Sequence, residues 1–386
     1  MQRLTQSPTD PDFVQNPYPF YDRARAAGPL IHWTDYNLTC TTTHAATNAI
    51  LRDRRFGREP IEPPVIPDHL APFYSVEAHS MLELEPPRHT RLRRLVLHAF
   101  TSRRIKALAP EITQLTHDLI DAFPNGDHDL LDTFCRPIPV IIIARLLGVP
   151  EAMADDLLKW SNAMVGMYQA GRTRADEDAA ITATEAFVAF LRSYIAEKRH
   201  APAGDLISAL IAAEEDGETL TTDELISTCI LLLNAGHEAT VHSLGNTLKF
   251  CLEQGHRPDA PAPFVEEALR FDPPLHMFTR TAYEEVEVAG HTFRRGDEVG
   301  LLLAAANHDP ITYPNPTEFD PTRAGPPQLA FGAGLHFCVG APLARLEMEI
   351  ALPILFDRCP NLTLTQTPRY ADIYHFHGLD RLLAST

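Results

Sequence analysis

Phe331-Gly332-Ala333-Gly334-Leu335-His336-Phe337-Cys338-Val339-Gly340 sets one cysteine in a glycine-rich turn, and Ala341-Pro342-Leu343-Ala344-Arg345-Leu346-Glu347 opens a helix directly behind it. A thiolate at that position gains from the partial positive charge of a helix N-terminus and from free backbone N–H groups. Gly332, Gly334 and Gly340 carry no Cβ, which lets a flat ligand lie against main chain. His336, two residues before the thiol, is placed to reach an acidic group on that ligand. Taken alone, a cysteine beside a turn is more often a buried structural residue. The fixed spacing of three glycines, a histidine and an aromatic residue argues otherwise.

The segment resembles the haem-binding loop of the cytochrome P450 family, Phe-Gly-x-Gly-x-His-x-Cys-x-Gly, and fills every fixed position of it. The resemblance extends over about residues 10–385. It implies a mainly α fold with a minor β part, in which a long central helix lies over a haem and a cysteine-ligand loop. It also implies haem b as cofactor, Cys338 as axial iron ligand, and Phe331, Gly332 and Gly340 beside the macrocycle.

The bulk properties agree with a globular enzyme of this kind. The chain has 386 residues, 45% hydrophobic and 22% charged. Six cysteines are scattered without a Cys-x-x-Cys pair, which argues against a disulfide framework or zinc site and suits a reducing cytoplasm. No N-terminal signal-like run and no long uninterrupted apolar stretch is present, so a soluble, cytoplasmic bacterial protein without a membrane span is expected. A formal net charge of −18 disfavours nucleic acid as a partner.

Along the chain, residues 29–33 and 38–43 read as a hairpin, and the proline-punctuated residues 60–80 as irregular. From about Pro86 to Lys249 the pattern is helical. Thr221 and Glu224 have capping-box spacing ahead of an apolar run, predicting a helix of over thirty residues that reaches toward Gly255. Residues 283–302 alternate as strands around an Arg295-Gly296-Asp297 turn. We expect a single domain over 1–386, a monomer, with no fused reductase or ferredoxin.

Further motifs fall where the family has counterparts. Glu267 and Arg270 share one helical face and alone suggest a surface ion pair. The resemblance makes them a structural clamp with Arg323 of the segment 316–323. His89 and Arg93, one turn apart, read by themselves as a solvated basic face. By resemblance, they join Arg280 and His336 as partners of the haem carboxylates. Arg94, Arg103, Arg104 and Arg345 suggest either a dock for an acidic ferredoxin or an ordinary exposed helix.

The long helix carries Leu232-Leu233-Asn234-Ala235-Gly236-His237-Glu238-Ala239-Thr240. Against the family pattern Ala/Gly-Gly-x-Asp/Glu-Thr-Thr, Ala235 and Gly236 give the oxygen site and Glu238 the relay acid. Ala239, however, stands where most members have the threonine whose hydroxyl helps deliver protons to bound oxygen. A substrate hydroxyl or water replaces it, or Thr240 does so through a helix distortion, or the enzyme uses peroxide. Leu231, Asn234, Ala235, His276, Met277, Phe278, Phe376 and His377 are the expected pocket residues; each histidine is equally readable as structural. The implied function is a haem-thiolate monooxygenase. It hydroxylates or oxidatively dealkylates a small or medium hydrophobic molecule with O2, using NAD(P)H electrons through ferredoxin reductase and ferredoxin. The rivals are a peroxide-driven hydroxylase and a non-catalytic haem protein.

Overall fold

The Thr221 hydroxyl accepts from the Glu224 N–H at 3.2 Å, and the Glu224 carboxylate accepts from the Thr221 N–H at 2.9 Å. From this capping box a helix runs unbroken over Thr222–Gln254, 33 residues, a length of about 50 Å at 1.5 Å per residue. The structure, a computed structural model, describes residues 1–168, 172–215, 217–372, 374 and 376–386. The chain divides into two compact units, and the division falls inside the long helix. One comprises Met1–Ile61, Thr113–Cys135 and Ala239–Thr386; the other comprises Glu62–Ile112 and Arg136–Glu238.

The first unit holds a six-stranded sheet, with edge-to-edge order Gln2–Leu4, Leu30–Trp33, Leu38–Thr41, Glu298–Leu302, Met277–Ala282, Phe56–Gly57. The hairpin expected near residues 29–43 is present, with Ile31 opposite Cys40. Of the strands expected within 283–302, Val286–Val288 pairs with His291–Phe293 across a tight Ala289-Gly290 turn, both residues at positive φ. Glu298–Leu302 instead joins the large sheet, parallel to Leu38–Thr41 and antiparallel to Met277–Ala282. Trp33, fully buried, packs among Phe13, Phe20 and Tyr374. The helix Pro261–Phe271 lies against Ala341–Arg358, the helix that follows the cysteine loop.

The second unit is almost wholly helical. Arg174–His200 starts at a Thr173–Asp176 capping box and buries Ala180, Ala183, Thr184, Phe187, Leu191 and Ile195 along one face. Trp160 of the helix Ala154–Val165 meets Phe187 at 5.3 Å between ring centroids. By length and hydropathy alone Arg174–His200 would pass for a bilayer span. Its many alanines raise the average without an uninterrupted apolar run. One sequence expectation fails here: within 60–80, which reads as irregular, Ala71–Glu77 is helical. The prolines at 63, 64, 67 and 72 all stand before the helix or in its first turn, where a missing N–H costs nothing.

Candidate functional site

In the first unit, the Cys338 N–H donates to the Phe331 carbonyl at 3.0 Å and closes the loop on itself. Gly332 and Gly334 have φ of +68° and +70°. A Cβ at Gly334 would stand 2.3 Å from the Leu51 carbonyl oxygen, so only glycine lets this loop approach the preceding helix His44–Arg52. Cys338 is exposed, whereas the other five cysteines are buried, and none of these described cysteines is disulfide-bonded. Burial pushes the Cys40, Cys229 and Cys251 thiols up to about 12. Cys338 sits just before Gly340, the N-cap of the 18-residue helix Ala341–Arg358, where a thiolate is favoured.

Behind the loop the structure brings Glu267, Arg270 and Arg323 together. Arg270 donates to both Glu267 oxygens at 2.7 and 2.8 Å, and Arg323 Nε donates to Oε1 at 3.2 Å. The Asp320 N–H adds a fourth donor at 2.9 Å. Both guanidinium groups also hold the segment 314–318: Arg270 reaches the Pro316 and Glu318 carbonyls, and Arg323 those of Asn315 and Glu318. With side chains only 2% and 4% exposed, Arg270 and Glu267 are a desolvated pair that multiple hydrogen bonds make tolerable. Arg280, 4% exposed, donates to the Thr279 carbonyl and lies over the Phe278 ring. His336 is half-buried in the loop itself.

Arg345 is not a free member of a basic patch. It pairs with Glu266 and lies 4.6 Å over the Phe331 ring, so its charge is spent within the first unit.

In the second unit, His89 is 1% exposed on the helix Arg88–Ala99, and Arg93, one turn on, is half-buried. On the long helix Leu231, Asn234 and Gly236 are half-buried and Ala235 is exposed; Gly236 backs onto Ile143. Glu238 is half-buried, its carboxylate 3.7 Å from Nε2 of His237, whose Nδ1 donates to the Leu233 carbonyl at 2.7 Å. Beyond the division the helix remains α-helical through Ala239 and Thr240, and Thr240 is buried. The helix distortion that would bring Thr240 into the place of Ala239 is therefore absent. The Ser243 hydroxyl donates to the Ala239 carbonyl at 2.8 Å.

Of the remaining pocket candidates, Met277 is buried and Phe278 and Phe376 are half-buried. His276 and His377 belong to a polar cluster that sequence reading missed. Tyr21 Oη is 2.8 Å from His276 Nδ1, and Tyr18 and Tyr370 donate to Asp272 at 2.8 and 2.6 Å. His377 Nε2 lies 3.5 Å from Asp272. No spacing rule joins residues 18, 21, 272, 276, 370 and 377, because the chain meets itself there only after folding.

The Cytochrome P450 family model matches residues 263–370. Biotin biosynthesis cytochrome P450 of Bacillus subtilis is 35% identical, the match covering 98% of each chain. The chain belongs to the cytochrome P450 family. Cytochrome P450 monooxygenase PikC of Streptomyces venezuelae is 37% identical over 92% of this chain and 87% of its own length. The structure of P450BioI in complex with a hexadec-9Z-enoic acid-ligated acyl carrier protein matches with a TM-score of 0.90 at 34% identity, covering 97% of this chain and 99% of that one. This protein is accordingly a P450 oxidoreductase, a haem-thiolate monooxygenase, and its residues suit that cofactor. An exposed thiol at a helix N-terminus offers a ligand atom, on a loop whose glycine turns keep side chains off its backbone, and Arg280 offers a guanidinium and His336 a ring nitrogen in the same unit.

Proposed function

We propose that this P450 binds haem b through Cys338 and oxidises a small or medium hydrophobic molecule, by hydroxylation or oxidative dealkylation. The observation that carries the reading is the Cys338 loop, with its accessible thiol, positive-φ glycines and following helix. When bound, the haem supplies the oxygen activation and transfer, one oxygen atom entering the substrate and the other leaving as water. Cys338 Sγ is the iron ligand, its negative charge favoured by the helix N-terminus. Arg280, His336, His89 and Arg93 neutralise the haem carboxylates, which could not be buried unpaired. Phe331, Gly332 and Gly340 give the flat faces beside it. Glu267, Arg270 and Arg323 hold the segment 314–323 ahead of the loop and take no part in the chemistry.

Ala235 and Gly236 keep the long helix slim where oxygen must fit. Glu238 holds and passes protons at its carboxylate; Ala239 has no hydroxyl to continue the relay, and Thr240, buried on a regular helix, does not replace it. A hydroxyl of the substrate or a trapped water takes that place. Leu231, Asn234, Ala235, Met277, Phe278 and Phe376 face the substrate, with His276 and His377 supporting that wall through their polar partners. Electrons come from NAD(P)H through ferredoxin reductase and ferredoxin, with Arg94, Arg103 and Arg104 as the basic dock in an otherwise acidic protein. The whole chain works as one catalytic domain, a cytoplasmic monomer. Ala239 supports a second reading, turnover driven by hydrogen peroxide without electron donors.

The test is the reduced carbon monoxide spectrum of the purified protein and of Cys338→His. A thiolate-type Soret band in the first and its loss in the second are expected; a thiolate-type band surviving in the variant would refute Cys338 as ligand. Spin-state titration with aromatics, terpenoids, macrolides and fatty acids, free and carrier-protein-linked, would then identify the substrate class. The linked acid is included because a structural neighbour carries one.

A further inference from the structure

Asp272, His276 and His377 meet in the first unit from three places in the chain: the end of the helix Pro261–Phe271, the entry to strand Met277–Ala282, and the C-terminal loop. A carboxylate oxygen and one ring nitrogen from each histidine lie within 4.8 Å of one another. Tyr21 occupies Nδ1 of His276 and so fixes Nε2 as the outward-facing nitrogen of that ring. Among the described residues this Nε2 has no hydrogen-bond partner although the residue is 0% exposed, an arrangement that costs free energy unless something else binds it. The His276 and His377 rings face each other at 4.4 Å between centroids, and Asp272 is 3.5 Å from His377 Nε2.

We propose that Asp272, His276 and His377 form a zinc site, separate from the haem chemistry, that cross-links the C-terminal loop to the sheet.

The donor set is two imidazoles and one carboxylate. That set suits a borderline divalent ion such as Zn2+, which takes nitrogen and carboxylate oxygen at about 2.0–2.2 Å. Calcium and magnesium would require six or more oxygens, which the site does not offer. A hydrogen-bonded outer layer is already in place. Tyr18 and Tyr370 donate to the Asp272 oxygens and Tyr21 orients His276, the arrangement that tunes and aims metal ligands elsewhere.

The backbone is also fixed before any ion enters. The His377 N–H donates to the Pro274 carbonyl at 2.8 Å, Leu275 and Phe376 form a bridge, and Asn246 of the long helix donates to the His377 carbonyl at 2.8 Å. Tetrahedral zinc would place its donors about 3.4 Å apart. The present spread of up to 4.8 Å therefore closes by side-chain rotation on a fixed main chain. Three protein donors leave a fourth position for a water. The cross-link would hold Phe376 and Met277, both expected to border the substrate.

The experiment uses the full haem-loaded chain, dialysed against a chelator and titrated with ZnCl2. Elemental analysis should then find about one zinc per chain, against the haem iron as internal standard. The zinc K-edge absorption spectrum should show nitrogen and oxygen neighbours at about 2.0–2.1 Å with imidazole scattering beyond. The Tm should rise with added zinc. His276→Gln and the near-isosteric Asp272→Asn should lose the stoichiometric zinc and the Tm response while keeping the far-ultraviolet circular dichroism of the folded chain. Should either variant fail to fold, the wild-type absorption spectrum decides alone. Absence of stoichiometric zinc from the wild type, a first shell without imidazole, or equal binding by folded variants would overturn the proposal. The cluster would then be a hydrogen-bonded network only.

Discussion

Removing the Glu267 carboxylate should be the most damaging single change to the clamp behind the cysteine loop. Glu267→Ala deletes four donor contacts, two from Arg270, one from Arg323 and one from the Asp320 N–H. Arg270 would be left 2% exposed with, among the described residues, only backbone carbonyls as hydrogen-bond partners and the Phe271 and Tyr313 rings beside it. Breaking a buried ion pair from one side costs about 3–5 kcal/mol, because the remaining charge stays desolvated. Arg323→Ala removes a single contact to Glu267 and leaves the two-point Arg270 pairing intact, so about 1.5–3 kcal/mol is expected for hydrogen bonds to charged groups. An unfolding entropy of about 2.1 cal/mol/K per residue over 386 residues gives roughly 0.8 kcal/mol/K near the transition. Glu267→Ala should therefore lower the Tm by about 4–6 °C and Arg323→Ala by about 2–4 °C. Thermal unfolding of the haem-loaded protein by circular dichroism measures both. If Arg323→Ala proved as damaging as Glu267→Ala, or if both fell within 1 °C of wild type, the burial argument would be wrong.

Other expectations follow from single residues. Gly334→Ala forces a side chain into φ +70° and sets its Cβ against the Leu51 carbonyl. A cost of about 1–3 kcal/mol from backbone strain alone is expected, with reduced haem content per chain; full haem content would contradict it. His308 donates to the Phe271 carbonyl at 2.7 Å, and burial lowers its pKa to about 3 from an ordinary 6.5. The unfolded chain then binds the proton first, so its contribution to stability is complete above pH 6.5 and is lost as pH falls toward 3. That loss is about 2 kcal/mol between pH 7 and 5; denaturant titrations of wild type and His308→Gln should differ by one proton in slope, and identical slopes would refute it. Ala239→Thr should lower hydrogen peroxide release per NADH when the substrate lacks a hydroxyl, and unchanged release would show that position 239 does not limit proton delivery.

The sequence was most legible where function constrains consecutive residues. The Cys338 loop is a run of ten residues, and its glycines could be recognised because their backbone demands are local. The capping box at Thr221 and Glu224 was equally plain, since both hydrogen bonds close within one turn. The Glu267–Arg270 pair was visible as spacing, but only the fold shows that it is buried and that Arg323 approaches from over fifty residues away. Arg345 looked like part of a basic patch because a sequence displays charge without its partner; Glu266, on another helix, takes that charge up. Residues 71–77 looked irregular because prolines dominate the pattern before them, although a first-turn proline is compatible with a helix.

Local chemistry by itself fixed the thiolate loop, the long helix and the missing hydroxyl at Ala239. Each depends on near neighbours in the chain, for which spacing is a sufficient guide. Tertiary structure alone decided which ionisable groups are desolvated and with whom. Asp272, His276 and His377 illustrate this, standing over a hundred residues apart at the extremes and brought within reach only by the folded sheet and the C-terminal loop. Burial and long-range pairing set which of their polar atoms have partners, and that property belongs to no short segment of sequence.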